Sequence, residues 1–324
     1  MKPFESCLAP RFDEFLVYRQ DLGYSAKSFT THLRVLDRYL VEKQISDTLF
    51  TPSFFLEMRA SLKQQASSVN ATLSAARTFF EYMVRRGLYE HNPVAGIPQL
   101  KKNTIVPFIF SPEQTDQLLT AVLERFRHTK KRFLKDLAIY TAMLLMVRCG
   151  LRISEPPRLK QHHYRRNDGT IYIEKTKFNK DRLIPVPKAV ITQIDNYLSV
   201  RKALLGNSQS PYLLVRPDQQ PLRPSQVRYL FVKVLKDIGH DQPKWVVGNV
   251  NFAQPTPHSL RHSFAVGTLV KIKQRGGSAQ NALPVLAAYM GHCEYKYTSV
   301  YLRVTDALSR QQLVDYTLWR ERKE

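Results

Sequence analysis

A chain of 324 residues with 43% hydrophobic and 11% aromatic content is too apolar for a disordered segment and longer than one ordinary core usually spans, so two folded domains are expected. Its formal charge of +22 points to a polyanionic partner, nucleic acid first, although a basic coating protein would share that charge. The most apolar run, LAIYTAMLLMV at 137–147, closes on Arg148 and is too short to span a bilayer, which excludes a membrane span there in favour of a buried core helix.

The first hundred residues read as helices alone. Phe29, Leu33, Leu36 and Leu40 recur at helical spacing, with basic residues on the other faces. TPSFFLEMRASLK opens with Thr51 at the N-cap position and Pro52 at the first helical position, where its missing N–H costs nothing. SSVNATLSAARTFFEYMVRRG follows and ends near Gly87, and EHNPVAGIPQLKK closes a four-helix unit. The stretch PQLKKNTIVPFIF at 98–110 has no helical period and reads as linking sequence.

A second domain begins at once. In SPEQTDQLLTAVLERF, Ser111 can cap, Pro112 takes the first position and Gln114 can return the capping bond. TIYIEKTK (170–177) and DRLIPVP (181–187) predict a β-hairpin with a short polar turn, and helices are expected at 187–205, 224–238, 258–274 and 284–290. The fold class is therefore mainly α with a small β-sheet: a helical N-terminal domain followed by a mixed α/β domain. Charge follows the same division. Residues 1–107 carry 14 basic against 10 acidic side chains, and the rest carries 35 against 17.

Cys7, Cys149 and Cys293 are odd in number, far apart and outside any CxxC pair, which fits a reducing cytoplasm. The N-terminus MKPFESCLAPRFDEF lacks the apolar stretch of a secretory leader.

Five places in the second domain carry groups suited to chemistry. CGLRISEPPRLK sets Arg152 and Glu155 three apart, where the carboxylate could orient the guanidinium or simply form a surface ion pair. Lys177 stands at the tip of the expected hairpin, where a lysine is ordinarily just solvated. TPHSLRHSF offers His258, Arg261 and His262. The HxxxH spacing suggests zinc, but Ser259 stands where a zinc protease needs glutamate, so no metal is expected. His292 follows Gly291, and MGHCEYKYTSVYLRV adds Tyr295, Tyr297 and Tyr301. Their spacing alone leaves open whether these phenols are a packing patch or include a nucleophile.

Taken in order, Arg152, Lys177, His258, Arg261, His292 and a following tyrosine resemble the tyrosine recombinase (phage integrase) family, over nearly the whole chain. GLRISE is similar to the family's first arginine box, TKFNKDRLIPVP to its hairpin lysine segment, PHSLRHSFA to its histidine–arginine box, and YMGHCEYKYTSVYLRV to the run from Gly-His to the nucleophile. The family places that tyrosine nine residues after the histidine, which selects Tyr301. The resemblance implies a SAM-like core-binding domain at 1–100, a linker at 101–110, and a catalytic domain at 111–324 with a C-terminal helix exchanged between protomers, in a simple Xer-like arrangement without an added arm-binding domain.

It also implies an enzyme that cuts and rejoins DNA through a 3′-phosphotyrosyl bond, without ATP, metal or cofactor. Tyr301 is the implied nucleophile, Arg152 and Arg261 the phosphate clamp, and His292 a further donor. Lys177 is the implied acid for the 5′-oxygen and His258 the acceptor of the tyrosine proton, with Glu155 bracing the arginine. These residue types suit the chemistry. Without a metal, fixed cations must meet the charge that builds on the phosphate oxygens, and a guanidinium fork does so in two places. The implied partners are double-stranded recombination sites, other protomers up to a tetramer on DNA, and accessory proteins, with no membrane; the setting is cytoplasmic, at the nucleoid when DNA is bound.

Three features depart from the family pattern: Pro156-Pro157 directly after Glu155, Thr176 and Phe178 flanking Lys177, and the insertion GHDQPKWVVGNVNFAQPT at 239–256. Two other readings share the fold, a DNA-binding scaffold without catalysis and a nicking-closing topoisomerase.

Overall fold

A computed structural model of the chain describes residues 2–46, 50–174, 181–206, 209–292, 298–302 and 304–305. The chain divides into two compact units, Met1–Thr104 and Ile105–Glu324. The first is a helical unit of α1 (Ala9–Asp21), α2 (Lys27–Glu42), α3 (Pro52–Ser61) and α4 (Ala66–Arg85). Leu33, Leu36 and Leu40 of α2 are buried, as their spacing predicts, and they meet Phe12, Phe15, Phe55, Phe79 and Phe80 in one apolar core. The rings touch edge-on or tilted, as between Phe12 and Phe79 at 4.7 Å and Phe55 and Phe80 at 5.4 Å, the arrangements aromatic quadrupoles favour.

Polar side chains tie down the rest of that unit. Asp37 accepts backbone N–H bonds from Glu5 and Ser6. Asn70 both donates to and accepts from the backbone of Leu100, and Arg77 donates to the carbonyls of Val94 and Ile97. Thr51 precedes α3 in extended conformation, but its hydroxyl meets Ser53 Oγ at 2.7 Å instead of capping a backbone N–H.

The second unit starts around β1 (Thr104–Val106) and continues through α5 (Pro112–Glu124) and α6 (Lys130–Cys149). Ser111 forms the expected capping box with Gln114. The strands β2 (Tyr164–Arg165), β3 (Thr170–Ile173) and β4 (Arg182–Pro185) make one antiparallel sheet in that order. The hairpin register pairs Ile171 with Ile184 and Ile173 with Arg182. There follow α7 (Lys188–Leu205), α8 (Pro224–Asp237), β5 (Trp245–Val247), β6 (Val250–Phe252), α9 (Pro257–Gln274) and α10 (Ala279–Met290), with helix again at 298–302. No described helix is long and apolar enough to cross a membrane. The apolar run at 137–147 lies in α6, buried against α7 and α9.

Two expectations change. The insertion at 239–256 contains a hairpin, β5 turning at Gly248 into β6, and β6 also pairs with β1 inside the stretch read as linker. The helix expected from 284 begins at Ala279, because Ser278 caps it by accepting from the Asn281 N–H. Pro284 thus lies inside α10 rather than at its start; the N–H it lacks would have served the carbonyl of Gln280, an exposed residue in the first turn of the helix.

Candidate active site

Two helix ends form the base of the cluster. The last carbonyls of any helix lack intrahelical donors and carry partial negative charge. α6 and α10 both close on a glycine in the left-handed region, Gly150 at φ 62° and Gly291 at φ 61°. At Gly150 a Cβ would sit 2.4 Å from the Phe264 ring, so only glycine fits. The carbonyls exposed there receive arginines. Arg261 Nη1 donates to Gly150 O at 2.6 Å and Nη2 donates to Met290 O. Arg152 Nη2 donates to Gly291 O at 3.0 Å.

Arg152 and Glu155 share a tight turn after α6, not a helical face, and the pair is no surface ion pair. Glu155 is buried and accepts from the Arg152 backbone N–H at 2.8 Å and from Arg152 Nη1 at 2.9 Å. The two prolines that follow form a short 3-10 turn at 156–158, and Arg152 keeps its orientation through these bonds. On its other side Glu155 takes a two-pronged bond from Arg182, at 3.0 and 2.8 Å. Burial opposes ionisation of Glu155, but the hydrogen bonds and charge of Arg182, with the Arg152 N–H, outweigh it and hold the carboxyl below the ordinary range.

Sequence reasoning passed over Arg182. The signal was present in β4, whose side chains alternate buried and exposed from Arg182 to Pro185. If Ile184 faces inward, so must Arg182, and a buried arginine needs a carboxylate.

Two guanidinium groups thus bond one carboxylate, and a third, that of Arg261, adds its charge nearby. Arg261 is 1% exposed; burial, then the neighbouring Arg152, pull its pKa down to about 9, still a cation at neutral pH. Its Nε–H is buried with no acceptor among the described residues. Arg152 is the partly open member, its side chain 20% exposed. A cluster with this cationic excess favours an anion.

The histidines lie against that charge and are neutral. Burial, then Arg261 and Arg152, push His258 down to about 4 and His292 to about 4; burial and then His258 push His262 to about 3. The His258 and His262 rings meet edge to face at 4.5 Å, and among the described residues no third potential ligand joins them as a metal site. His292 Nδ1 and Thr298 Oγ1 lie 2.8 Å apart. Tyr301 is 1% exposed, its ring 6.4 Å from that of His292, and its hydroxyl lies 2.9 Å from His262 Nδ1. Burial raises the phenol to about 12, against the opposing pull of Arg261 and Arg152.

Arg152, Glu155, His258, Arg261, His292 and Tyr301 are therefore brought together from four separate parts of the sequence. Lys177, Tyr295, Tyr297 and the C-terminal stretch after Thr305 lie outside the described residues. Sequence reasoning also left His262 without a role, having weighed it only as a zinc ligand.

Residues 110–307 match the phage integrase family. The chain is 30% identical over 267 residues to the tyrosine recombinase XerC of Alcanivorax borkumensis, covering 82% of this chain and 78% of that protein. It is 27% identical over 311 residues to the tyrosine recombinase XerA of Pyrococcus furiosus, covering 94% of each. Among solved structures it is similar to a lambda integrase dimer bound to a COC′ core site, at a TM-score of 0.66 and 18% identity over 91% of this chain and 76% of that one, a likeness of fold.

Proposed function

The chain belongs to the phage integrase family, and we propose from that membership that its site cuts and rejoins DNA by attack of Tyr301 on a backbone phosphate. It is a site-specific recombinase, as its tyrosine recombinase relatives are. One observation carries the assignment to this site: Arg152 and Arg182 share the single carboxylate of Glu155, Arg261 is anchored on helix-end carbonyls beside them, and a buried phenol feels the charge of Arg261 and Arg152. A phosphodiester supplies the anion that cluster lacks. Arg152 and Arg261 would grip the two non-bridging oxygens, with the Arg261 Nε–H, which has no acceptor among the described residues, as a further donor, while His258 and His292 line the same phosphate. Arg182 acts one step back, holding Glu155 so that Glu155 can aim Arg152.

The phenol oxygen attacks phosphorus, the bond to the 5′-oxygen breaks, and the DNA is held as a 3′-phosphotyrosyl ester whose energy is kept for rejoining. Lys177 is our choice for the acid that protonates the departing 5′-oxygen. We further propose that the chain works on duplex sites of a mobile or replicating element in the cytoplasm, as an assembly of copies, in line with the dimeric DNA complex of the lambda integrase neighbour. The residues after Thr305 are the segment we assign to contact between copies.

The test is a duplex recognition site carrying a nick beside the cleavage point, so that the short 5′-hydroxyl fragment diffuses away after attack. The parent protein should become covalently attached to it, and Tyr301→Phe should bind the site without attachment. A parent protein that binds the site and never attaches would support the scaffold reading instead.

A further inference from the structure

The family resemblance implies His258 as the acceptor of the nucleophile's proton, yet the hydroxyl of Tyr301 meets a different histidine. Helix α9 starts at Pro257 behind Thr256 and commits successive residues to separate tasks. Arg261 turns into the protein and is anchored on two helix-end carbonyls, and the next residue, His262, presents Nδ1 to the phenol at 2.9 Å. Among the described residues His262 is the hydrogen-bond partner of that hydroxyl. His258 stands one turn earlier, its ring against that of His262 rather than against the phenol, and Nδ1 of His292 is engaged with Thr298.

We infer that His262 is the general base of the reaction, taking the Tyr301 proton on Nδ1 as the phenol oxygen attacks phosphorus and returning it when the DNA is rejoined. The inference rests on the reading of Tyr301 as the nucleophile. With the phenol donating, Nδ1 is the acceptor and the ring proton resides on Nε2. The Tyr301 O–H bond breaks, the O–P bond forms and the P–O5′ bond breaks; the 5′-oxygen takes its proton from a separate acid. In rejoining, the 5′-hydroxyl attacks, the tyrosine oxygen departs, and the Nδ1 proton goes back to it.

Burial first, and then its neighbours, keep His262 neutral. Its pKa is pushed to about 3 by burial, then by His258 and Arg261, so its lone pair is open but weakly basic. A phosphodiester seated on Arg261 offsets that cation and makes the imidazole more basic, tying proton transfer to a filled site.

His262→Asn separates a base from a mere support, because the Asn amide oxygen falls near the Nδ1 position and can accept the phenol hydrogen bond but cannot take a proton. The readout is single-turnover attachment to the nicked duplex, with site binding measured beside it. Site binding should be retained, and the attachment rate at neutral pH should fall on the order of 10²-fold or more. The deficit relative to the parent should shrink by roughly tenfold per pH unit as hydroxide replaces the missing base. A bridging 5′-phosphorothiolate, whose thiolate leaves without an acid, should not restore the variant. If His262→Asn does not bind the site, His262→Gln is read in its place.

An attachment rate within about threefold of the parent would overturn the inference, since a general base is worth far more than that. So would a deficit that stays constant with pH, which would mark His262 as a support for the phenol. Failure of the underlying reading looks different: the parent protein would then attach through a residue other than Tyr301.

Discussion

The first unit is closed by rings and the second by charges. Behind α1 to α4 lie Phe12, Phe15, Phe55, Phe79 and Phe80, and Asp37 is the one Asp, Glu, Lys, Arg or His buried among that unit's described residues. The second unit also has a large apolar core around α6, but it buries Glu155, Arg182 and Arg261 as well. Apolar packing is stable without help. Buried charge is costly unless each group is paired, and it is kept where something must be gripped. The contrast separates a unit that need only hold its shape from one that carries chemistry, and it shows how the cost is contained. Helix-end carbonyls, which need donors in any case, take up Arg152 and Arg261, and a single carboxylate holds Arg152 and Arg182.

The sharpest way to break that contrast is Glu155→Gln, which leaves three buried or half-buried cations with no anion. A loss of about 3–5 kcal/mol is expected, as for other buried pairs deprived of one partner. Arg152 should lose its aim, so attachment to nicked DNA should disappear along with the stability. Chemical denaturation and the attachment assay read the two together. A variant of parental stability would mean that Glu155 does not balance the cluster.

Phe79→Ala is the matching cut in the first unit. Removing a fully buried ring should also cost about 3–5 kcal/mol, but the histidine titrations of the second unit should stay as they were. Proton NMR of the histidines distinguishes the two variants, since Glu155→Gln removes a charge that raises His258. A smaller loss is expected from Gly150→Ala: about 1–2 kcal/mol for the left-handed backbone, increased by the clash with Phe264. Its effect on attachment should exceed its effect on stability, because the carbonyl that holds Arg261 moves.

The last effect is in acid. His258, His262 and His292 lie near 4, 3 and 4 against an ordinary 6.5. Between pH 6.5 and about 4 the unfolded chain therefore binds protons that the folded site refuses. Stability rises with pH across that window and is lost on acidification. Thermal unfolding should shift to lower temperature as pH falls from 6.5 towards 4. An unfolding temperature that stays flat through that range would show that these imidazoles are not held neutral.

Much of this was legible in the sequence where a local rule decides the outcome. The capping box at Ser111 is a pattern of three residues and formed as read. The buried stripe of α2 follows from spacing alone. Arg152 and Glu155 were visible as a pair, but their burial was not, since it depends on distant partners such as the end of α10, 139 residues on, whose Gly291 carbonyl meets Arg152. Arg182 and His262 were missed for a similar reason: one was seen only as part of a hairpin and the other only as half of a zinc spacing. The β5–β6 hairpin was in reach, because Gly-Asn between the β-prone runs WVV and VNF is a turn signal, and it went unread inside a stretch taken only as an insertion.

The central claim is that the cationic cluster serves the phenol of Tyr301 and no other nucleophile. It is tested most directly by digesting the covalent complex formed on nicked site DNA and locating the bound nucleotide by mass spectrometry. The account predicts a nucleotide on the peptide that contains Tyr301, attached at Tyr301 itself. Attachment at Tyr295, Tyr297 or a serine would contradict it.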